Sequence, residues 1–85
     1  MQWLARVVVL PKDEVLDPQG EAILGALRHL EVQGIAAVRS GKVFELHFAD
    51  YSREEAERIA DDAARRLLSN PVVETYRLEM VEEPR

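Results

Sequence analysis

The run from Trp3 to Leu10 constrains this chain more than any other segment, because it is apolar on both parities. Trp3, Ala5, Val7 and Val9 would line one face of a strand, and Leu4, Val8 and Leu10 the other. A strand of that kind expects cover on both faces. An 85-residue chain buries only about 60–65% of its unfolded surface, so its core is thin. Small domains compensate with disulfides, metal or association. There is no cysteine, which removes disulfides and thiolate metal sites together. His29 and His47 are far apart in sequence and have no nearby acidic cluster of ligand spacing, so no metal site is expected. Association is left, and the second face of the first strand is expected to meet another subunit, giving a homo-oligomer (dimer or tetramer) built through the strand that begins at Trp3.

A helix follows. Asp17 is a good N-cap, and Pro18 falls at the first helical position, where its missing N–H costs nothing. Glu21 adds a carboxylate in the first turn, where the helix dipole favours it. Gln19 and Gly20 are not explained by helix formation. Glycine there costs up to about 1 kcal/mol against alanine, so something is expected to approach the backbone closely. Pro18 to about Gln33 carries Ile23, Ala26, Leu27 and Leu30 on one stripe, and Gly34 is expected at the C′ position.

Ile35 to Arg39 reads as a short strand, joined through a Ser40-Gly41 hairpin loop to Val43–Ala49, where Phe44, Leu46 and Phe48 alternate with Glu45 and His47. Ser52 and Glu55 form a capping box for a second helix with Ala56, Ile59, Ala60, Ala63 and Leu67 as its apolar stripe. Glu54–Arg58, Asp61–Arg65 and Asp62–Arg66 are acid-first i,i+4 pairs on a solvated face. Asn70-Pro71 stops that helix. Val72 to Val81 is a last strand with Tyr76, Leu78 and Met80 on one side, and residues 82–85 are expected to fray. The order β-α-β-β-α-β predicts one α+β domain over residues 1–85. It is a ferredoxin-like two-layer sandwich with an antiparallel sheet and helices on one face.

Chemistry is sparse. The net charge of −5 (11 basic against 16 acidic residues) argues against nucleic acid or an anionic membrane as partner. The N-terminus resembles neither a signal peptide nor a membrane span, which makes the cytoplasm the expected compartment. Ser40, Ser52, Ser69, His29 and His47 fall at a turn, a cap, helix ends or exposed strand positions, without a nucleophile–base pair. The four glycines do not cluster into a phosphate loop. Acylphosphatases of this fold bind phosphate after the first strand, but Pro11-Lys12-Asp13-Glu14 is proline-led and acidic there. No catalytic, cofactor-binding or metal residue is expected. A ligand-sensing regulatory module of the same fold is the alternative.

Three segments together resemble one family. They are Val15-Leu16-Asp17-Pro18-Gln19-Gly20, then Val38-Arg39-x-Gly41-Lys42-x-Phe44-Glu45-Leu46, then Leu67-Leu68-x-Asn70-Pro71-Val72-Val73-Glu74-x-Tyr76. The chain is similar in these to PurS, the small subunit of phosphoribosylformylglycinamidine synthase. Val73, where isoleucine is common, and Pro11 at the end of the first strand are the departures. The resemblance implies a non-catalytic subunit that bridges a glutaminase subunit and a large synthetase subunit in de novo purine (IMP) synthesis and supports ammonia transfer. ATP, Mg and glutamine would be used by those partners. Asp17, Gln19 and Gly20 at the helix start, and Arg39 and Lys42 beside the hairpin, are the partner-contact candidates, with a solvated hairpin end as the plainer reading of the last two.

Overall fold

The doubly apolar run becomes the middle of the sheet. In the computed structural model, which describes residues 2–84, β1 (Gln2–Pro11) lies between β2 (Lys42–Ala49) and β3 (Glu74–Glu83), antiparallel to both. Val7 faces Phe44 on one side and Leu78 on the other. One sheet face therefore gathers Val7 and Val9 with Phe44, Leu46, Tyr76 and Leu78. Val7 and Val9 are fully buried, each contributing about 1.5–3 kcal/mol of burial. The fold is of the ferredoxin-like α+β class, with three of the four expected strands formed: α1 (Pro18–His29) follows β1, and α2 (Arg53–Ala63) lies between β2 and β3.

The second layer over β1 and β3 is α2. Its capping box forms as expected: Glu55 N–H donates to the Ser52 hydroxyl, and Ser52 N–H donates back to the Glu55 carboxylate. The residues it buries are Ala56, Ala60 and Ala64, all at 0% exposure. Ile59 and Leu67, expected on the same stripe, are exposed. For Leu67 the cause lies in the last turn, Ala64–Leu68, which is π-helical. Widening the turn delays the inward position by one residue, so Leu68 packs on the core and Leu67 points to water. Of the expected surface pairs, Asp62–Arg66 forms at 3.2 Å, whereas Asp61 accepts the Tyr76 hydroxyl. That hydrogen bond, with some burial, holds the Tyr76 phenol above its usual range.

The opposite face departs from expectation. Arg6 pairs with Glu45 at 3.1 Å, and Arg77 with Glu79 at 3.2 Å. His47 on β2 reaches Glu83 on β3 at 2.9 Å, across the strand that carries Leu4. Leu4 is only 5% exposed. Long polar side chains from the two outer strands thus shield the apolar residues of β1. Cover by a second subunit is not required to explain Leu4.

Four local expectations are corrected. Ile35–Arg39 is not a strand, and Ser40-Gly41 is not a hairpin loop, because the Ser40 N–H is taken by the Asp17 carboxylate at 2.7 Å. Gly34 does not cap α1. The helix ends earlier, in a Schellman motif with Glu31 at φ 63°. Val32 N–H bonds Leu27 C=O and Glu31 N–H bonds Arg28 C=O. The last strand runs two residues further than expected, since Glu82 and Glu83 pair with Trp3 and Gln2. Of the expected frayed tail, Arg85 lies outside the described residues.

Candidate interaction site

The site forms where β1 ends, α1 begins and both outer strands start. Asp17 is its centre. One carboxylate oxygen caps α1 by accepting the Gly20 N–H at 3.0 Å, and the other accepts the Ser40 N–H at 2.7 Å. The Ser40 hydroxyl lies 3.1 Å from both Asp17 Oδ1 and Gln19 Oε1, donating to one at a time. A single aspartate therefore fastens the helix start to the chain entering β2. The Ser40 N–H, then the Gly20 N–H and more weakly the Ser40 hydroxyl and the Arg39 charge, hold the Asp17 carboxyl below its usual range.

The other candidates join this frame. Arg39 pairs with Asp13 at 3.0 Å. Lys42 lies 3.9 Å from Glu74 and 5.9 Å from the Phe44 ring centroid. Lys12 N–H donates to Val73 C=O at 2.9 Å, and Asn70 makes a turn by accepting from Val72 and Glu74 N–H groups. A shallow depression lined by Pro11, Leu16, Gln19, Ser40, Lys42 and Glu74 opens between them. Leu16 and Val72 are each 76% exposed nearby in sequence to this frame.

Gly20 stands apart from the other four. It is buried, and a β-carbon there would lie 2.3 Å from the Val38 carbonyl oxygen and 2.5 Å from Asp17 Oδ2. The close approach expected at Gly20 exists, but it is made by this chain's own backbone. Gly20 is thus an internal packing residue and leaves the contact set. Sequence reasoning missed Ser40, Asp13 and Glu74; the readable signal was Ser40 beside glycine, a residue type that bonds neighbouring backbone.

Replacing Asp17 by asparagine tests the frame. Asparagine can still cap through its carbonyl oxygen, but its NH2 cannot accept the Ser40 N–H. A carboxylate whose folded pKa is depressed stabilises above its unfolded pKa and loses that contribution as pH falls through the folded value. Wild type should therefore melt several degrees above Asp17→Asn at neutral pH. The gap should close as pH is lowered through the acid end of the carboxylate range. Melting curves of both proteins across pH check this; a gap independent of pH would contradict it.

Among the described residues no three His, Asp or Glu side chains are placed to hold a metal ion, and no helix is long and apolar enough to cross a membrane. Fold and site together define a small ferredoxin-like α+β module whose most elaborated region is a hydrogen-bonded surface end. Residues 4–82 match the family model of PurS, phosphoribosylformylglycinamidine (FGAM) synthase. The PurS subunit of Archaeoglobus fulgidus is 42% identical over 73 residues, covering 86% of this chain and 91% of the relative, and that of Mycobacterium leprae is 45% identical over 76 residues, covering 86% and 91%. Among solved structures, Thermus thermophilus PurS superimposes with a TM-score of 0.87 at 39% identity, covering 99% of this chain and all of the other. A chain of the structure of PurLQS from Thermotoga maritima gives 0.86 at 31% identity, covering 95% and 99%. The chain belongs to the PurS family.

Proposed function

We propose that this chain is the non-catalytic small subunit of FGAM synthase. It bridges the glutaminase and ATP-dependent synthetase subunits and supports transfer of ammonia between them in purine biosynthesis, in the cytoplasm. The observation that carries the reading is the convergence of the three family-like segments, residues 15–20, 38–46 and 67–76, on one end of the molecule through Asp17–Ser40, Lys42–Glu74 and Pro11 opposite Glu74. A hydrogen-bonded frame bearing exposed Gln19, Arg39 and Lys42 suits a contact with another protein better than a reaction centre. On this reading ATP, Mg and glutamine belong to the partner subunits. The chain also associates with itself, as a dimer or tetramer.

The test is omission. Purified glutaminase and synthetase subunits should form FGAM from glutamine only when this chain is added, while activity with free ammonium salt should persist without it. Full glutamine-dependent activity from the two partners alone would overturn the proposal and favour a ligand-sensing role.

A further inference from the structure

The depression at the framed end holds a carboxylate that the chain itself leaves half used. Glu74 opens β3, and its Oε1 accepts the Asn70 N–H at 2.7 Å. Among the described residues Oε2 accepts no hydrogen bond, and Lys42 Nζ stays 3.9 Å from it, beyond hydrogen-bond reach. The Lys42 ammonium is shared with the face of Phe44, 5.9 Å from the ring centroid. Yet the Glu74 side chain is only 22% exposed. Its second oxygen is thus partly removed from water and poorly paired at once.

A second acceptor faces the same depression. Ser40 Oγ carries one proton and lies 3.1 Å from both Asp17 Oδ1 and the end of the Gln19 amide. If that end is the oxygen, one acceptor goes without a proton. With the amide turned over, Gln19 NH2 donates to Ser40 Oγ, Ser40 donates to Asp17, and all three groups are satisfied. The Gln19 carbonyl oxygen then faces away from Ser40 as a free acceptor. Of the charged groups lining the depression, the Asp17 and Glu74 carboxylates stand against the Lys42 ammonium, which leaves one negative charge unbalanced. Pro11 and the 76% exposed Leu16 add an apolar shelf.

We propose that this depression is the socket for one arginine side chain of a partner subunit. Its guanidinium forks between Glu74 Oε2 and the Gln19 carbonyl oxygen, and its aliphatic stem lies on Leu16 and Pro11. The unbalanced charge calls for a cation. Two acceptors on separate residues, beside an apolar shelf, suit a planar guanidinium better than a compact, strongly hydrated ammonium. At Glu74 the incoming group takes the place that Lys42 holds loosely, so there Lys42 competes with it. The inference rests on the subunit role proposed above and specifies the chemistry of its contact.

The competition gives the test a distinctive sign. The full-length chain and its variants are titrated into the glutaminase and synthetase subunits together, by calorimetry at low salt. Glu74→Gln, which can still accept the Asn70 N–H, should weaken binding about tenfold or more, and high salt should narrow that gap. Lys42→Met should tighten binding about twofold to fivefold, because a rival cation is gone. An acidic partner surface seated on Lys42 would give the opposite result for Lys42→Met. Unchanged or weaker binding by Lys42→Met overturns the socket, as does unchanged binding by Glu74→Gln. A loss by Glu74→Gln that salt does not narrow also overturns it, since a purely structural role is not screened. Should Glu74→Gln fail to fold, Lys42→Met decides alone. Any of these results leaves the subunit role standing while the omission assay succeeds; a wild-type chain that fails that assay and binds neither partner overturns both.

Discussion

Replacing Gly20 with valine will destabilise the isolated chain by about 2–3 kcal/mol, lowering its melting midpoint by roughly 10–20 °C. Helical dihedrals suit valine, and propensity alone would improve on leaving glycine. Space decides otherwise. The first added carbon would lie 2.3 Å from the Val38 carbonyl oxygen and 2.5 Å from the Asp17 carboxylate, so backbone must move and the cap must break. Both consequences fall on the contact between the start of α1 and the chain entering β2. Gly20→Ala should lose nearly as much, because the β-carbon itself makes the clash. Thermal melts of both variants decide it. A midpoint within a degree or two of wild type, with loss confined to assembly with partner subunits, would return Gly20 to the contact set.

How the sequence came to be readable in some places and not others has a physical basis. The capping box at Ser52–Glu55 and the Asp17-Pro18 start depend on neighbours within one turn, and both form as written. The parity of β1 and its partners also held, since side-chain alternation is local. What failed depends on distant groups. Whether Ser40-Gly41 turns back is settled by Asp17, 23 positions away. Whether Leu4 is covered is settled by His47 and Glu83, from two other strands. At the site, sequence placed Asp17, Gln19, Arg39 and Lys42 near one another in role. Their ion-pair partners Asp13 and Glu74 could only be found in three dimensions.

Ala60→Leu should be the other severe substitution, costing about 2–3 kcal/mol by overpacking. The three alanines Ala56, Ala60 and Ala64 recur every fourth residue and are wholly buried, so α2 approaches β1 and β3 through its smallest side chains. Ala60 is the middle one, with no helix end nearby to relax. Leucine adds three carbons there, which must push α2 away from β1 and β3. Leu67 supplies the contrast. It is 81% exposed because the π-helical turn rotates it outward, and Leu67→Ser should change the chain's stability by less than about 0.5 kcal/mol. A regular α-helix would reverse the order at the C-terminal end, burying Leu67 and exposing Leu68. Leu68→Ala, which removes a side chain packed on the core, should therefore cost more than Leu67→Ala by at least about 1 kcal/mol. Chemical denaturation of these variants measures both statements. Equal losses at positions 67 and 68 would mean that the last turn is not π-helical in solution, and an Ala60→Leu midpoint near wild type would mean that the helix–sheet gap is wider than three buried alanines imply.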